Sequence, residues 1–150
     1  MITIRAATAA DVETLARFAE AMAWETERKR LDPQTVRRGI AAAFEQPERA
    51  RYLLAERAGE IAGTLMLTYE WSDWRCAQWW WIQSVYVAEA HRRHGVFRAL
   101  YQHVRDAALA TPGICGLRLY VEHDNAAAKA TYAALGMQAS HYDMMEFAAK

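Results

Sequence analysis

In SVYVAEAHRRHGVFRALYQHV, residues 84–104, an apolar run rich in strand-forming residues passes through a short basic turn into a helical pattern. A strand that feeds directly into a long helix must bury one face under that helix, so this stretch predicts an α/β layer structure. The turn also has chemical meaning. Amides at a helix start lack intrahelical acceptors, the helix dipole is positive there, and Gly95 lets backbone approach a ligand without a Cβ in the way. Arg92, Arg93 and Arg98, with His91 and His94, concentrate positive charge at this turn. These features suit a phosphate group. A surface turn with solvated arginines is the plain alternative.

The rest of the chain fits around that unit. Ile2–Ala6 alternates weakly as a strand, Thr8 is a candidate N-cap, and Val12, Leu15, Ala16, Ala19, Met22 and Ala23 form one helical stripe to about Trp24. The charged connector ETERKRL follows, and Asp32 before Pro33 opens a second amphipathic helix carrying Val36, Ile40, Ala43 and Phe44. Arg51–Glu56 and Ile61–Tyr69 read as a hairpin around Gly59, and Gln78–Val87 as the next strand. A helix from Gly95 to Ala110 is closed by Pro112 and Gly113. Ile114–Val121 reads as a strand, Asn125–Leu135 as an Ala-rich helix capped by Gly136, and His141–Phe147 as a last strand. The expected order is β-α-α-β-β-β-α-β-α-β, a mixed, mostly antiparallel sheet flanked by helices, in one domain spanning residues 1–150.

Composition narrows the function. The 18 Lys+Arg balance 18 Asp+Glu, so no global basic excess drives binding to nucleic acid. Cys76 and Cys115 can form at most one bridge, and neither the cysteines nor the five histidines have metal-ligand spacing; the histidines read as polar surface or turn residues, and no metal is expected. The N-terminus has no apolar h-region and no segment reads as a membrane span. A cytoplasmic protein is the expectation. Ser84 lacks the G-x-S-x-G setting of a serine hydrolase, and neither a G-x-G-x-x-G fingerprint nor a P-loop lysine supports a nucleotide-binding domain.

A second segment, LYVEHDNAAAKATYAALGMQ, places Asn125 and Tyr132 seven residues apart, two turns along one helix face. Together the two segments resemble the GNAT superfamily of N-acetyltransferases. The acetyl-CoA motif V-x-x-x-x-[QR]-x-x-G-x-[GA] is matched by Val87, Arg92 and Gly95, with Phe97 where glycine or alanine is usual. The later motif, N-x-x-A/S-x-x-x-Y followed by Leu-Gly, is matched by Asn125, Ala128, Tyr132, Leu135, Gly136 and Met137. The resemblance implies a coenzyme A diphosphate held by backbone from Arg92 through Arg93, His94, Gly95, Val96 and Phe97 to Arg98. It also implies pantetheine lying along Val85, Tyr86 and Val87 like an added strand, and Tyr132 as the acid that protonates the departing thiolate.

Acetyl transfer to an amine needs the free base, and an alkylamine of pKa near ~10 is only about 0.1% neutral at pH 7, a handicap of roughly 4 kcal/mol. Many relatives place a carboxylate on the central strand, where this chain has Gln83 and Ser84. These can orient a water or a substrate, leaving Glu25, Glu27, Glu70 or Asp73 to accept the proton through water. The stretch LTYEWSDWRCAQWWWIQSVYV holds five of the six tryptophans and resembles the matching strand pair of the diamine (spermidine and thialysine) acetyltransferases. Trp79 and Trp81 share one strand face and Trp80 the other. Trp71 and Trp74, beside Glu70 and Asp73, suit a cation. The expected acceptor is a small primary amine, with a protein N-terminus or lysine as the enzyme alternative and a non-catalytic acyl-CoA-binding module as the rival class. The apolar strand around Trp79–Trp81 makes a homodimer the expected assembly.

Overall fold

The computed structural model describes residues 1–150. The chain divides into two compact units, Met1–Tyr120 and Val121–Lys150. The first holds β1 (Ile2–Ala6), a 3-10 turn (Ala9–Asp11), α1 (Val12–Glu27), α2 (Pro33–Glu45), β2 (Arg51–Arg57), β3 (Glu60–Ser72), β4 (Ala77–Val87), a second 3-10 turn (Glu89–His91), α3 (Val96–Ala110) and β5 (Ile114–Leu119). The five strands lie in sequence order, antiparallel from β1 to β4, with β5 parallel to β4. A parallel neighbour requires a crossover, and α3 supplies it.

Opposite faces of the sheet are covered by different helices. Leu15 and Ala16 of α1 and Ile40 of α2 pack on Leu54, with Val12, Val36, Phe44 and Tyr52 around them. α3 lies across all five strands, burying Val96, Leu100, Tyr101, Val104 and Ala108, the apolar stripe its sequence predicts. Its first turn is seated by Gly63 on β3, where a Cβ would fall 2.8 Å from the Tyr86 carbonyl oxygen and 3.1 Å from Val96 Cγ1.

Side-chain caps fix most helix starts. Asp11 accepts from Thr8 N–H at 2.8 Å and is held by Arg5 through two bonds of 2.8 and 3.0 Å. Asp32 accepts from Thr35 N–H at 2.8 Å, with Pro33 at the first helical position as the sequence suggests. α1 runs three residues beyond Trp24, through half of the expected charged connector, and ends where Arg28 takes a left-handed conformation (φ 52°). Arg28 and Arg30 lie over the Trp24 ring, at 5.4 and 4.2 Å; that cover extends the helix into a segment its charges mark as a loop.

The second unit contains α4 (Ala126–Ala134). Asn125 caps it by accepting from Ala128 N–H at 3.0 Å. Asn125 therefore stands at the helix boundary and not, as its spacing from Tyr132 suggests, on the helix face. Gly136 is left-handed (φ 98°) as expected. The expected last strand at His141–Phe147 is not formed. Alternation alone does not make a strand, because extended backbone needs a partner for its N–H and C=O groups.

Candidate functional site

The register of β4 creates the site. Gln83 pairs with Met66 and Tyr86 with Thr64, so one extra residue is inserted on β4 between them. Ser84 takes up the excess at φ 49°, a bulge that reverses the side-chain alternation beyond it. Upstream, Trp79, Trp81 and Gln83 share a face. Downstream, that face belongs to Tyr86. Pairing to β5 ends at Ile82 with Leu119, so Gln83–Val87 run past that ladder and offer backbone donors and acceptors along an edge.

This edge leads into the start of α3. Arg93 (φ 65°) and Gly95 (φ 79°) are left-handed, and no side chain caps the helix. The first intrahelical bond is Ala99 N–H to the Gly95 carbonyl at 3.0 Å, which leaves the preceding amides of the turn outside the helix ladder. A Cβ on Gly95 would meet nothing within 4 Å, so the space beside it is open. His94 Nδ1 donates to the Arg92 carbonyl at 2.8 Å, which tightens the turn.

Arg92 is the best-held cation here. Its Nε donates to the Val87 carbonyl at 2.9 Å and its Nη2 to Glu25 Oε1 at 2.6 Å, while Tyr86 Oη donates to Glu25 Oε2 at 2.6 Å. These bonds lower the Glu25 pKa, that from Tyr86 most and that from Arg92 next, and the Glu25 bond raises that of Arg92. The Phe18 ring stands 5.2 Å from that of Tyr86. Glu25, Tyr86 and Arg92 thus tie the end of α1 to the basic turn. Glu27, at the last position of α1, is exposed.

A second cluster occupies the wide end of the β3–β4 hairpin. Glu70 Oε1 accepts from Trp81 Nε1 at 2.8 Å and from Arg118 Nη1 at 2.9 Å, and the indole bond, then the guanidinium, keeps Glu70 ionised to lower pH. Arg118 and Arg75 lie over the Trp79 ring, at 3.9 and 5.1 Å. Trp79 fits because its strand neighbour is Gly116, where a Cβ would stand 2.5 Å from the ring. Trp80 points to the opposite face, is 5% exposed and carries Arg51 over its ring at 5.0 Å. Gln83 Nε2 donates to Thr68 Oγ1 at 2.6 Å. Trp71 and Trp74 are 61% and 90% exposed, and Asp73 Oδ1 accepts from Trp74 N–H. The structure groups Glu70 with Trp81 and Arg118, while Trp71 and Asp73 stay at the hairpin end.

A strand with a bulge, diverging from its parallel neighbour and ending in an uncapped, basic helix start, calls for comparison with known proteins. The family model described as Acetyltransferase (GNAT) family matches residues 11–137. This chain belongs to the GNAT acetyltransferase family. It is therefore an acetyltransferase, and the family match runs through parts of both compact units. The crystal structure of a possible acetyltransferase from Clostridium difficile 630 is 38% identical, covers 100% of this chain and 99% of its own, and has a TM-score of 0.93. A probable acetyltransferase shares the fold at 22% identity and TM-score 0.87, with 99% and 98% covered. A predicted acetyltransferase with acetyl-CoA from Clostridium acetobutylicum does so at 13% identity and TM-score 0.76, with 98% and 96% covered. A search of curated proteins finds no match.

Within this acetyltransferase the basic turn fits a diphosphate by its left-handed Gly95, its open side and its arginines. His91 departs from the sequence reading. It is 5% exposed and lies between Arg57 Nη1 at 3.2 Å and Glu60 Oε2 at 3.0 Å. A guanidinium only donates, so Nδ1 accepts, Nε2–H donates to Glu60 and the ring is neutral. Its charge does not join the cradle. Val85 and Val87 are half-covered beside Tyr86. In the second unit Tyr132 is half-buried on α4, and desolvation raises its phenol pKa. No three His, Cys, Asp or Glu side chains group as a metal site, and no helix is long and apolar enough to cross a membrane. Sequence reasoning missed Arg118 and the Arg92–Glu25–Tyr86 link. The signal for Arg118 is a charge between Leu117 and Leu119 in a strand, since such a residue needs a counter-charge on the neighbouring strand.

Proposed function

We propose that this acetyltransferase moves an acetyl group from acetyl-CoA to the primary amine of a small molecule, polyamine or amino-acid-like, by direct attack, in the cytoplasm and with all 150 residues acting as one domain. The observation that carries the reading is the bulged end of β4 running into the uncapped start of α3. Acetyl-CoA supplies an activated acyl group as a thioester. The backbone from Arg92 to Arg98 holds the diphosphate, and Val85–Val87 present strand-type hydrogen bonds to the pantetheine amides.

Tyr132, whose raised pKa keeps it protonated at neutral pH, donates to the departing sulfur. Two sets of ionised carboxylates attract the ammonium form of the acceptor: Glu25 with Glu27 at the end of α1, and Glu70 with Asp73 beside Trp71. Gln83 and Ser84 are placed on β4 to orient a water that carries the amine proton to one of them. The diamine preference rests on this acidic and tryptophan-rich setting. Because Glu70 is already paired with Arg118, an acceptor carrying both an ammonium and a carboxylate fits as well as a diamine.

The test is coenzyme A release measured with diamines, amino acids and peptides bearing free N-termini or lysines. Release driven by diamines or amino acids supports the reading. Release with peptides alone replaces it by protein acetylation, and tight acetyl-CoA binding with no amine-dependent release overturns small-amine transfer.

A further inference from the structure

β5 has a hydrogen-bonded neighbour on one side only, and none of its six residues, Ile114–Leu119, is fully buried. This is unusual for a parallel strand, which ordinarily has both faces covered, and an open edge is a template for another strand. Elsewhere in the same chain lies a surface that needs what β5 lacks. α4 buries no residue. Tyr142, Met144, Met145 and Phe147 are 65%, 60%, 93% and 96% exposed. In extended form Tyr142 and Met144 would line one face of a strand and Met145 and Phe147 the other, the pattern of a strand covered on both sides.

We propose that two copies of this chain exchange these parts: Val121–Lys150 of each copy covers β5 of the other, with His141–Phe147 joining its free edge as a sixth strand. A second copy is the occupant because a single chain leaves both surfaces open. The area suits it. Covered aromatic rings bury about 150–250 Å² apiece, and two rings and two methionines per segment, exchanged twice and matched on β5, reach the roughly 1,200–2,000 Å² of a standard stable interface. On the acetyl-transfer reading, on which this last step rests, each site then takes its cradle from one copy and Tyr132 from the other.

Light scattering on the eluting full-length chain should give twice the mass of one chain. Met145→Glu with Phe147→Glu should give a folded monomer by circular dichroism, with faster hydrogen exchange at β5. A monomeric parent, or a dimer that survives both substitutions with β5 unchanged, overturns the exchange. Co-expressing Tyr132→Phe with Gly95→Asp copies should restore about one quarter of parent turnover, since half the dimers are mixed and each mixed dimer has one intact site. An active parent with no restored turnover also overturns the exchange. A parent inactive with every amine sinks the acetyl-transfer reading alone, and the mass and exchange measurements still decide the assembly.

Discussion

The start of α3 and the starts of the other three α-helices solve one problem in opposite ways. Asp11 at α1, Asp32 at α2 and Asn125 at α4 each place an oxygen on a nearby amide. α3 has Gly95 in that place and no capping side chain. A capping bond is worth about 1 kcal/mol, so the uncapped start gives up stability and keeps its amides for a ligand. The closed starts are structural, and whatever α4 adds to the chemistry comes from a side chain on its body, Tyr132.

The largest effect should therefore come from Tyr132→Phe. Removing a general acid costs on the order of 100-fold or more in turnover, and stopped-flow rates should show that loss with acetyl-CoA affinity unchanged in calorimetry. Equal losses in affinity would make Tyr132 a binding residue. Next, Gly95→Asp turns the start of α3 into a copy of the start of α2. Asp tolerates the left-handed backbone better than most residues, and its carboxylate would take the amides and repel a diphosphate. Affinity for acetyl-CoA should fall by roughly 100-fold, about 2.7 kcal/mol, while the melting temperature moves little. Retained affinity would break the contrast between open and closed starts.

A smaller effect is expected at Asp11, where the Arg5 hydrogen bonds lower the carboxyl to about 2. A depressed folded pKa means that the contribution is complete above the unfolded value near 3.8 and is lost as pH falls toward 2. Asp11→Asn should cost roughly 1–2 kcal/mol at neutral pH, discounted because Arg5 is partly open to solvent. The deficit should vanish in urea titrations near pH 2. Smallest of all, Asp32→Ala and Asn125→Ala should each cost about 1 kcal/mol. Their acetyl-CoA affinities should match the parent, and a large loss for Asn125→Ala would move that residue from cap to ligand contact.

The sequence makes the helix starts and most strands legible because local rules set them: Asp-Pro before α2, Gly136 after α4, heptad-like spacing in α3. The basic turn is legible for the same reason, its glycine and arginines being contiguous. The bulge at Ser84 is not, since it depends on the register against β3, and with it goes the side of the sheet that Tyr86 occupies. Glu70 is visible as an acid but its Arg118 partner lies 48 positions away, and His91 looks like part of the basic turn until Glu60 and Arg57 are folded around it. His141–Phe147 fails differently: its pattern suits a strand, but pattern alone supplies no hydrogen-bonding partner.

The extra residue in β4 makes lengthening or shortening that strand a question of parity. Removing one position at Ser84 would return the hydroxyl of Tyr86 to the α3 side, separating it from Glu25, and would bring a valine to α1 instead. Changes by two positions would preserve the sides but shift the arginines relative to the last pair with β5. The strand can thus accept many substitutions along its length and almost no change in its number of residues.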